Sequence, residues 1–138
     1  MQLLGISEQE IERVPLEKSE EFYSMAFALY EQGDYVGASE LFTRLVLTDP
    51  FAQHYWRGLA SAKQMAQEYR DALHAWSLVC LLCEQDPEPH FHAAGCLLSL
   101  NEKDDALKAL EAAEKRCTEE MLRSKILVLK QIHYANKD

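Results

Sequence analysis

The chain repeats itself with a period of 34 residues, and this period restricts its fold more than any other feature. Three similar segments place Ala38, Ala72 and Ala106 in one column, each 34 residues after the one before. Within each segment, apolar residues recur at spacings of three and four on both sides of a central Gly, Gln or Asn. This pattern is typical of two amphipathic helices joined by a tight turn. The period therefore predicts stacked helix pairs, each of which buries its apolar face against its neighbours.

The repeats fill most of the chain and leave a flanking segment at each end. We expect them at 19–52, 53–86 and 87–120. In residues 1–18, the capping-box pattern from Ser7 to Glu10 and the stop at Pro15 predict a short leading helix. Apolar residues at helical spacing in the segment 119–138 predict a helix that covers the open face of the last repeat. The whole chain is therefore expected to form one all-α domain.

Proline and aspartate mark the expected beginnings of two first helices. Asp49 precedes Pro50, and Asp86 precedes Pro87. An aspartate side chain can accept hydrogen bonds from the free amides of a helix N-terminus, and proline is tolerated in the first turn. We therefore expect the first helices of the second and third repeats to begin at these two pairs.

Charge and hydropathy argue against several classes of function. The chain has 14 Lys and Arg against 23 Asp and Glu, and the cations are scattered, which disfavours binding to nucleic acid or to an anionic lipid surface. It contains no apolar run of about 18 residues that would span a bilayer. It also lacks the basic start of a signal peptide. We therefore expect a protein of the cytoplasm that does not insert into membranes.

The repeat unit looks like a tetratricopeptide repeat, and its finer sequence resembles one family in particular. Two parts of the chain carry this resemblance. The first is Phe-Tyr-Ser-Met-Ala-Phe at 22–27, followed by Tyr30 and by Gly-Asp-Tyr-Val-Gly-Ala at 33–38. The second is Phe-His-Ala-Ala-Gly-Cys-Leu-Leu at 91–98. They resemble the tetratricopeptide chaperones of bacterial type III secretion, the SycD/LcrH type. The resemblance covers nearly the whole chain and implies a right-handed superhelix of three helix pairs, with a short N-terminal helix and a C-terminal capping helix.

The resemblance also implies a function. Chaperones of this type bind hydrophobic translocator proteins in the bacterial cytoplasm and keep them soluble and competent for secretion. The resemblance leaves self-association into a homodimer open. The alternative to this function is a generic tetratricopeptide adaptor that binds another protein partner.

The concave side of the stack is where a protein partner is expected to bind. First helices line that side, and positions 2, 5, 9 and 12 of each unit point into it. The candidate peptide-binding residues are Tyr23, Phe27 and Tyr30 in the first repeat, His54, Arg57, Ser61 and Gln64 in the second, and Phe91, Gly95 and Leu98 in the third. They predict a groove with an aromatic end, a polar middle and an apolar far end, in which Gly95 leaves room for a ligand's main chain.

The aromatic candidates of the first repeat and the polar candidates of the second also have an interpretation without a binding role. On the first helix, one stripe of Phe22, Met25, Ala26 and Leu29 is expected to pack inward. The second stripe, which contains the three aromatic candidates, could be further core covered by the leading helix. Tyrosine favours the groove instead, because its ring offers contact area while its hydroxyl stays in water. For His54, Arg57 and Gln64 the alternative is ordinary solvated surface.

A different peptide site, the clamp that other repeat proteins use for the acidic C-termini of heat-shock chaperones, is not supported. That clamp requires Lys and Asn at positions that Tyr23, Phe27 and Gly58 occupy in this chain, and basic residues at positions of Glu88 and His92. No cation remains to hold a carboxylate.

Metal chemistry and catalysis also lack support. Cys80, Cys83, His90 and His92 are suitable zinc ligands by type. Only six residues separate the two pairs, however, fewer than closed zinc modules require. We expect the four cysteines to be reduced and packed, with His92 and Cys96 as a packed pair between repeats, and we expect no metal and no cofactor. The chain has no phosphate-binding loop, nucleophile elbow or HExxH motif, so we expect no catalytic residues.

Overall fold

The computed structural model describes residues 13–134, which form seven α-helices and contain no strand. A short 3₁₀ turn at Leu16–Lys18 precedes them. The helices are α1 (Ser19–Glu31), α2 (Tyr35–Thr48), α3 (Gln53–Met65), α4 (Tyr69–Leu82), α5 (Glu88–Ser99), α6 (Lys103–Arg116) and α7 (Glu120–Tyr134). The predicted all-α repeat fold is confirmed. Most of the expected leading helix falls in residues 1–12, outside the described residues.

Each helix packs mainly against the next one along the chain, as a repeat stack requires. Two apolar cores result. The first core runs through α1 to α5 and includes Phe42, Trp56, Trp76 and Cys96, and the second joins α5, α6 and α7 around Leu110 and Ile126. The last helix, α7, is tied to α6 by the ion pair of Lys130 with Glu114 at 3.2 Å.

Left-handed residues end the first helix of each pair. Gly33, Gln67 and Asn101 have φ angles of 86°, 64° and 60°, and they are 34 residues apart. In each turn, an amide one residue further on donates to a carbonyl five residues back, for example the Asp34 amide to Leu29 at 2.9 Å. This is the hydrogen bonding of a Schellman motif, in which glycine is preferred and asparagine tolerated. The Gly, Gln and Asn punctuation of the sequence therefore marks these reversals.

The expected helix starts are correct at one proline and wrong at the other. The Asp86 carboxylate accepts from the amide of Glu88, the first residue of α5, at 2.9 Å, and Pro87 precedes it. At the other pair, α3 begins only at Gln53, three residues after Pro50. There the Trp56 indole donates to the Pro50 carbonyl at 2.7 Å. Pro50 therefore lies in the turn before α3, where its carbonyl accepts this hydrogen bond from the buried indole.

No helix within residues 13–134 combines the length and the apolar character that crossing a bilayer requires.

Candidate peptide-binding groove

The groove begins with a row of three rings on α1. The ring of Phe27 lies 6.2 Å from that of Tyr23 and 6.4 Å from that of Tyr30, measured between centroids. Phe27 is 46 % exposed, whereas the two tyrosines are partly buried against the first core. The i, i+4, i+7 spacing places all three on one helical face. This face is separate from the one that carries the buried Ala26.

A cavity of about 330 Å³ lies between this row and α3, and we call it the α1/α3 pocket. Its lining residues are Tyr23, Phe27, Tyr30, Phe42, His54, Arg57, Gly58 and Ser61. Six of the ten predicted groove residues are therefore brought together here. The close packing of α2 on α3 positions them. At this contact a Cβ at Gly58 would overlap the ring of Phe42. The missing side chain at Gly58 lets that ring lie against α3 and form the floor.

Phe42 and Gly58 were not predicted as parts of this site. Phe42 comes from α2, a second helix of a pair, and its ring reaches the groove only through the gap at Gly58. A glycine inside a helical pattern signals a close approach. That signal was present at Gly58 in the sequence.

A second cavity, of about 170 Å³, continues the groove between α3 and α5, and we call it the α3/α5 pocket. It is lined by Tyr30, Ser61, Gln64, Met65, Trp76 and His92, so that it shares Tyr30 and Ser61 with the α1/α3 pocket. The His92 ring stacks on the Trp76 indole at 4.5 Å with 20° between the planes. Burial lowers the pKa of His92 below its ordinary value of 6.5, which favours a neutral imidazole at neutral pH.

Two of the predicted polar residues are held by intramolecular bonds rather than being free surface. Arg57 donates to Gln53 and to the Asp86 carboxylate. Burial tends to raise the pKa of Asp86, but the Glu88 amide and the Arg57 guanidinium outweigh it, so that the pKa lies below 3.8. The charge of Arg57 is therefore balanced within the protein, and the middle of the groove offers hydrogen bonds rather than net charge.

Gln64 is oriented by its neighbour. Its Oε1 atom accepts from the Trp76 indole at 2.8 Å. Its amide nitrogen then faces α5, where a Cβ built on Gly95 would lie 3.6 Å from it. A donor therefore stands beside the bare backbone at Gly95, in a place where a ligand's carbonyl oxygen can approach.

A third cavity, of about 420 Å³, lies between α5 and α7, and we call it the α5/α7 pocket. Its lining residues are Phe91, Met121, Ser124, Lys125, Val128 and Leu129. Phe91 is the only residue of the predicted set that lines it. The last predicted residue, Leu98, is partly buried and lines none of the three pockets.

One packing expectation is wrong, because Met25 was expected to pack inward with Phe22 but is 53 % exposed. His92 and Cys96 of the third repeat both pack against the second, as expected: His92 stacks on Trp76, and Cys96 is buried in the first core. The four-residue spacing on the helix did not reveal the indole of α4 beside His92.

Metal ligation finds no support in the described part of the chain. Residues 13–134 contain no group of three or more His, Cys, Asp or Glu side chains that could hold a metal ion. All four cysteines have free thiols, and burial raises the pKa of Cys96 to about 12. A thiol with such a pKa stays protonated and inert at neutral pH.

Comparison with known proteins places the chain beside proteins of similar architecture. Residues 19–45 match the family model described as tetratricopeptide repeat. The chain is 32 % identical over 96 residues to the low calcium response locus protein H of Yersinia pestis. The match covers 70 % of this chain and 57 % of that protein, so the chain spans little more than half the length of this relative.

Solved structures agree over almost the whole stack. The translocator chaperone SycD of Yersinia enterocolitica, in complex with a peptide of the translocator YopD, is 26 % identical with a TM-score of 0.84, covering 90 % of this chain and 98 % of that one. PcrH of Pseudomonas aeruginosa, in complex with the chaperone binding region of PopD, is 26 % identical with a TM-score of 0.82, covering 92 % and 98 %.

Proposed function

The chain belongs to the tetratricopeptide-repeat chaperones of type III secretion, the SycD/LcrH type, and we propose that it binds an extended N-terminal segment of hydrophobic translocator proteins in its groove. Bound in this way, the client is kept soluble and competent for secretion. The protein acts in the bacterial cytoplasm, as a binding protein without catalytic activity.

The α1/α3 pocket carries this proposal. It brings six candidate residues from two helices around one cavity and leaves Phe27 46 % exposed at its edge. Aromatic side chains that converge on one cavity, with one of them open to water, are typical of a binding site. Two of the structures with the same helical stack were solved with translocator segments bound.

The polar middle of the groove suits a ligand in extended conformation. Arg57 has five N–H donors, of which Gln53 and Asp86 occupy only part. The Gln64 amide nitrogen is a further donor, oriented by Trp76. An extended segment exposes its carbonyl groups at regular intervals and can accept these bonds. Apolar side chains of the client then fill the α1/α3 pocket, while its main chain passes Gly95.

The proposal is tested by calorimetric titration with overlapping 20-residue peptides from the N-terminal regions of candidate translocator proteins encoded near its gene. We expect one peptide to bind with a micromolar Kd. Phe27→Ala should weaken binding about tenfold or more, because an aromatic anchor of an interface is lost. The matched control is Phe51→Ala, which removes the same side chain where it is 81 % exposed between α2 and α3, away from the groove.

Phe27 is preferred to Tyr23 for this test. The Tyr23 ring also packs on Phe42, at 6.0 Å, and on Tyr55, at 5.7 Å, so its removal disturbs the core as well. Equal binding by the Phe27→Ala variant and the wild type would place the site on another surface. If no peptide binds, the protein is a generic adaptor with another partner.

A further inference from the structure

We propose that the α5/α7 pocket is a second anchor site of the groove, which takes an apolar side chain of the same bound segment with an acidic side chain next to it. This inference rests on the proposed function, because it adds a subsite for the same client. It concerns α7, whose residues were predicted only to cover the last repeat.

The floor of the α5/α7 pocket is fixed and its walls are open. Phe91 and Leu129 are partly buried and pack against the second core. Met121 is 73 % exposed and Val128 is 51 % exposed, although both line the same cavity. The lining is therefore apolar except for Ser124 and Lys125. An open apolar cavity with a preformed floor is suited to an incoming apolar side chain.

The α5/α7 pocket adjoins the α3/α5 pocket along α5, although the two share no lining residue. The ring of Phe91, which lines the first, lies 5.7 Å from that of His92, which lines the second. The α3/α5 pocket in turn shares Tyr30 and Ser61 with the α1/α3 pocket. A ligand that enters at α1 and follows the groove past Gly95 can therefore continue along α5 to α7.

One extended segment is long enough to occupy both ends. Packed helices have axes about 10 Å apart, and the first helices that border the pockets are separated further, because each helix packs mainly against the next one along the chain. The two steps from the α1/α3 pocket to the α5/α7 pocket therefore span at least about 20 Å. An extended chain advances about 3.3 Å per residue, so the two anchors are expected to lie about six residues or more apart in the client.

Charge distinguishes the far end of the groove from its middle. Arg57 is neutralised by Asp86, whereas Lys125 takes part in no hydrogen bond or ion pair with the rest of residues 13–134. Lys125 is a local cation on a chain with a net charge of −9, and it stands at the edge of the apolar cavity. An acidic client residue next to the anchor would pair with it.

The test uses two neighbouring residues of α7 that are equally exposed. Val128 is 51 % exposed and lines the pocket, whereas Leu127 is 50 % exposed and does not. We expect Val128→Ser to weaken binding of the client peptide found above by at least fivefold, and Leu127→Ser to leave it unchanged. Sedimentation of all variants without peptide reports any change in self-association.

A charge exchange tests the role of Lys125. Lys125→Glu should weaken binding of the same peptide by at least fivefold at low salt. Replacing the acidic residue beside the second anchor by lysine should restore binding to this variant while weakening binding to the wild type. Added salt should reduce both effects, because the pair lies at an exposed edge.

The outcomes separate this inference from the function on which it rests. If Phe27→Ala weakens binding of the peptide while the Val128→Ser variant binds it with the affinity of the wild type, the second anchor is refuted and the proposed function stands. If Val128→Ser instead converts a dimer into a monomer at unchanged peptide affinity, the pocket belongs to a second copy of the chain and the inference is overturned. If no peptide binds the wild type, both proposals fall.

Discussion

Two glycines of the groove helices differ in what surrounds them, although both lie inside a helix. At Gly58, a Cβ would overlap the buried ring of Phe42, which is only 1 % exposed. At Gly95, a Cβ would meet only the Gln64 amide nitrogen, at an ordinary contact distance of 3.6 Å. The first glycine is therefore needed for packing inside the protein. The packing around the second does not require a glycine, whereas the proposed path of the ligand over it does.

We predict opposite effects for alanine at these two positions. Gly58→Ala should lower the free energy of unfolding by about 1–3 kcal/mol, because it overpacks a well-filled core. Gly95→Ala should leave stability unchanged or raise it by up to about 1 kcal/mol, since glycine is costly inside a helix. Urea denaturation measures both. Gly95→Ala should nevertheless weaken client binding, because its methyl group would fill the proposed path of the ligand's main chain.

A second substitution, in Phe42, provides the control for Gly58→Ala. Phe42→Leu should recover part of the stability lost in Gly58→Ala, since a smaller side chain leaves room for the new methyl group. Additive losses in the double variant would mean that Phe42 is not the atom group in conflict with Gly58.

At the residue level, the sequence predicted side chains of the first helices better than those of the second. The spacing on α1 and α3 is local, so Tyr23, Phe27 and Arg57 could be placed on one side from helical geometry alone. The contributions of Phe42 and Trp76 depend on how closely α2 and α4 approach, which no local pattern states. Leu98 was placed by the same rule, seven residues after Phe91, but it lines none of the three pockets.

At the scale of elements, Asp86 joins two helices through one carboxylate. One oxygen accepts from the Glu88 amide at the start of α5, at 2.9 Å, and the other pairs with Arg57 of α3. Asp86 therefore stabilises the start of α5 and the interface between the second and third repeats at the same time.

We predict that Asp86→Ala lowers the free energy of unfolding by about 1–2 kcal/mol, since the helix loses its cap and Arg57 loses its partner. Asp86→Asn should cost less, because an amide oxygen still caps α5. The pKa of the carboxylate is below 3.8 in the folded protein, so its contribution is complete well above pH 3.8 and is lost as the pH falls through the folded-state value. Urea denaturation across the acid range should thus show the gap between wild type and Asp86→Asn closing.

A constant gap between these two proteins at all pH values would contradict the assigned ionisation. The same titration on Glu17→Gln is a suitable comparison, because Glu17 is an exposed carboxylate in the 3₁₀ turn before α1, remote from Arg57.

Element boundaries followed from the sequence where a backbone conformation demanded a residue type. Gly33, Gln67 and Asn101 all lie at left-handed turns, so the punctuation of the repeats indicated the reversals correctly. The start of α3 was wrong because proline is compatible both with a first helical turn and with the turn before it. The hydrogen bond from Trp56 to the Pro50 carbonyl decides between them, and it is a contact six residues away.

On the scale of the whole molecule, the two apolar cores divide the stack into unequal parts. The first core extends over α1 to α5, whereas the second is smaller and depends on α7. Ile126 is the central side chain of α7 in this core and is fully buried. In a stack of repeats, a local loss of stability passes mainly to adjacent repeats.

We predict that Ile126→Ala lowers the free energy of unfolding by about 2–5 kcal/mol, as for other buried large-to-alanine changes. The destabilisation should be confined to the helices around the second core. Native-state hydrogen exchange should show faster exchange of amides in α6 and α7. Amides of α2 and α3 should exchange nearly as in the wild type. Val46→Ala, which removes a buried side chain of the first core, is the matched control and should give the converse pattern. A uniform increase in both variants would show that the stack opens as one unit.

The placement of the indoles gives the molecule an optical property. Its two tryptophans, Trp56 and Trp76, are both 3 % exposed in the first core, one on α3 and one on α4. Intrinsic tryptophan emission therefore reports on the second repeat and on its contact with His92, whereas α7 carries no tryptophan. Since Trp76 also lines the groove and stacks on His92, the same emission is a label-free signal for whatever occupies the middle of the groove.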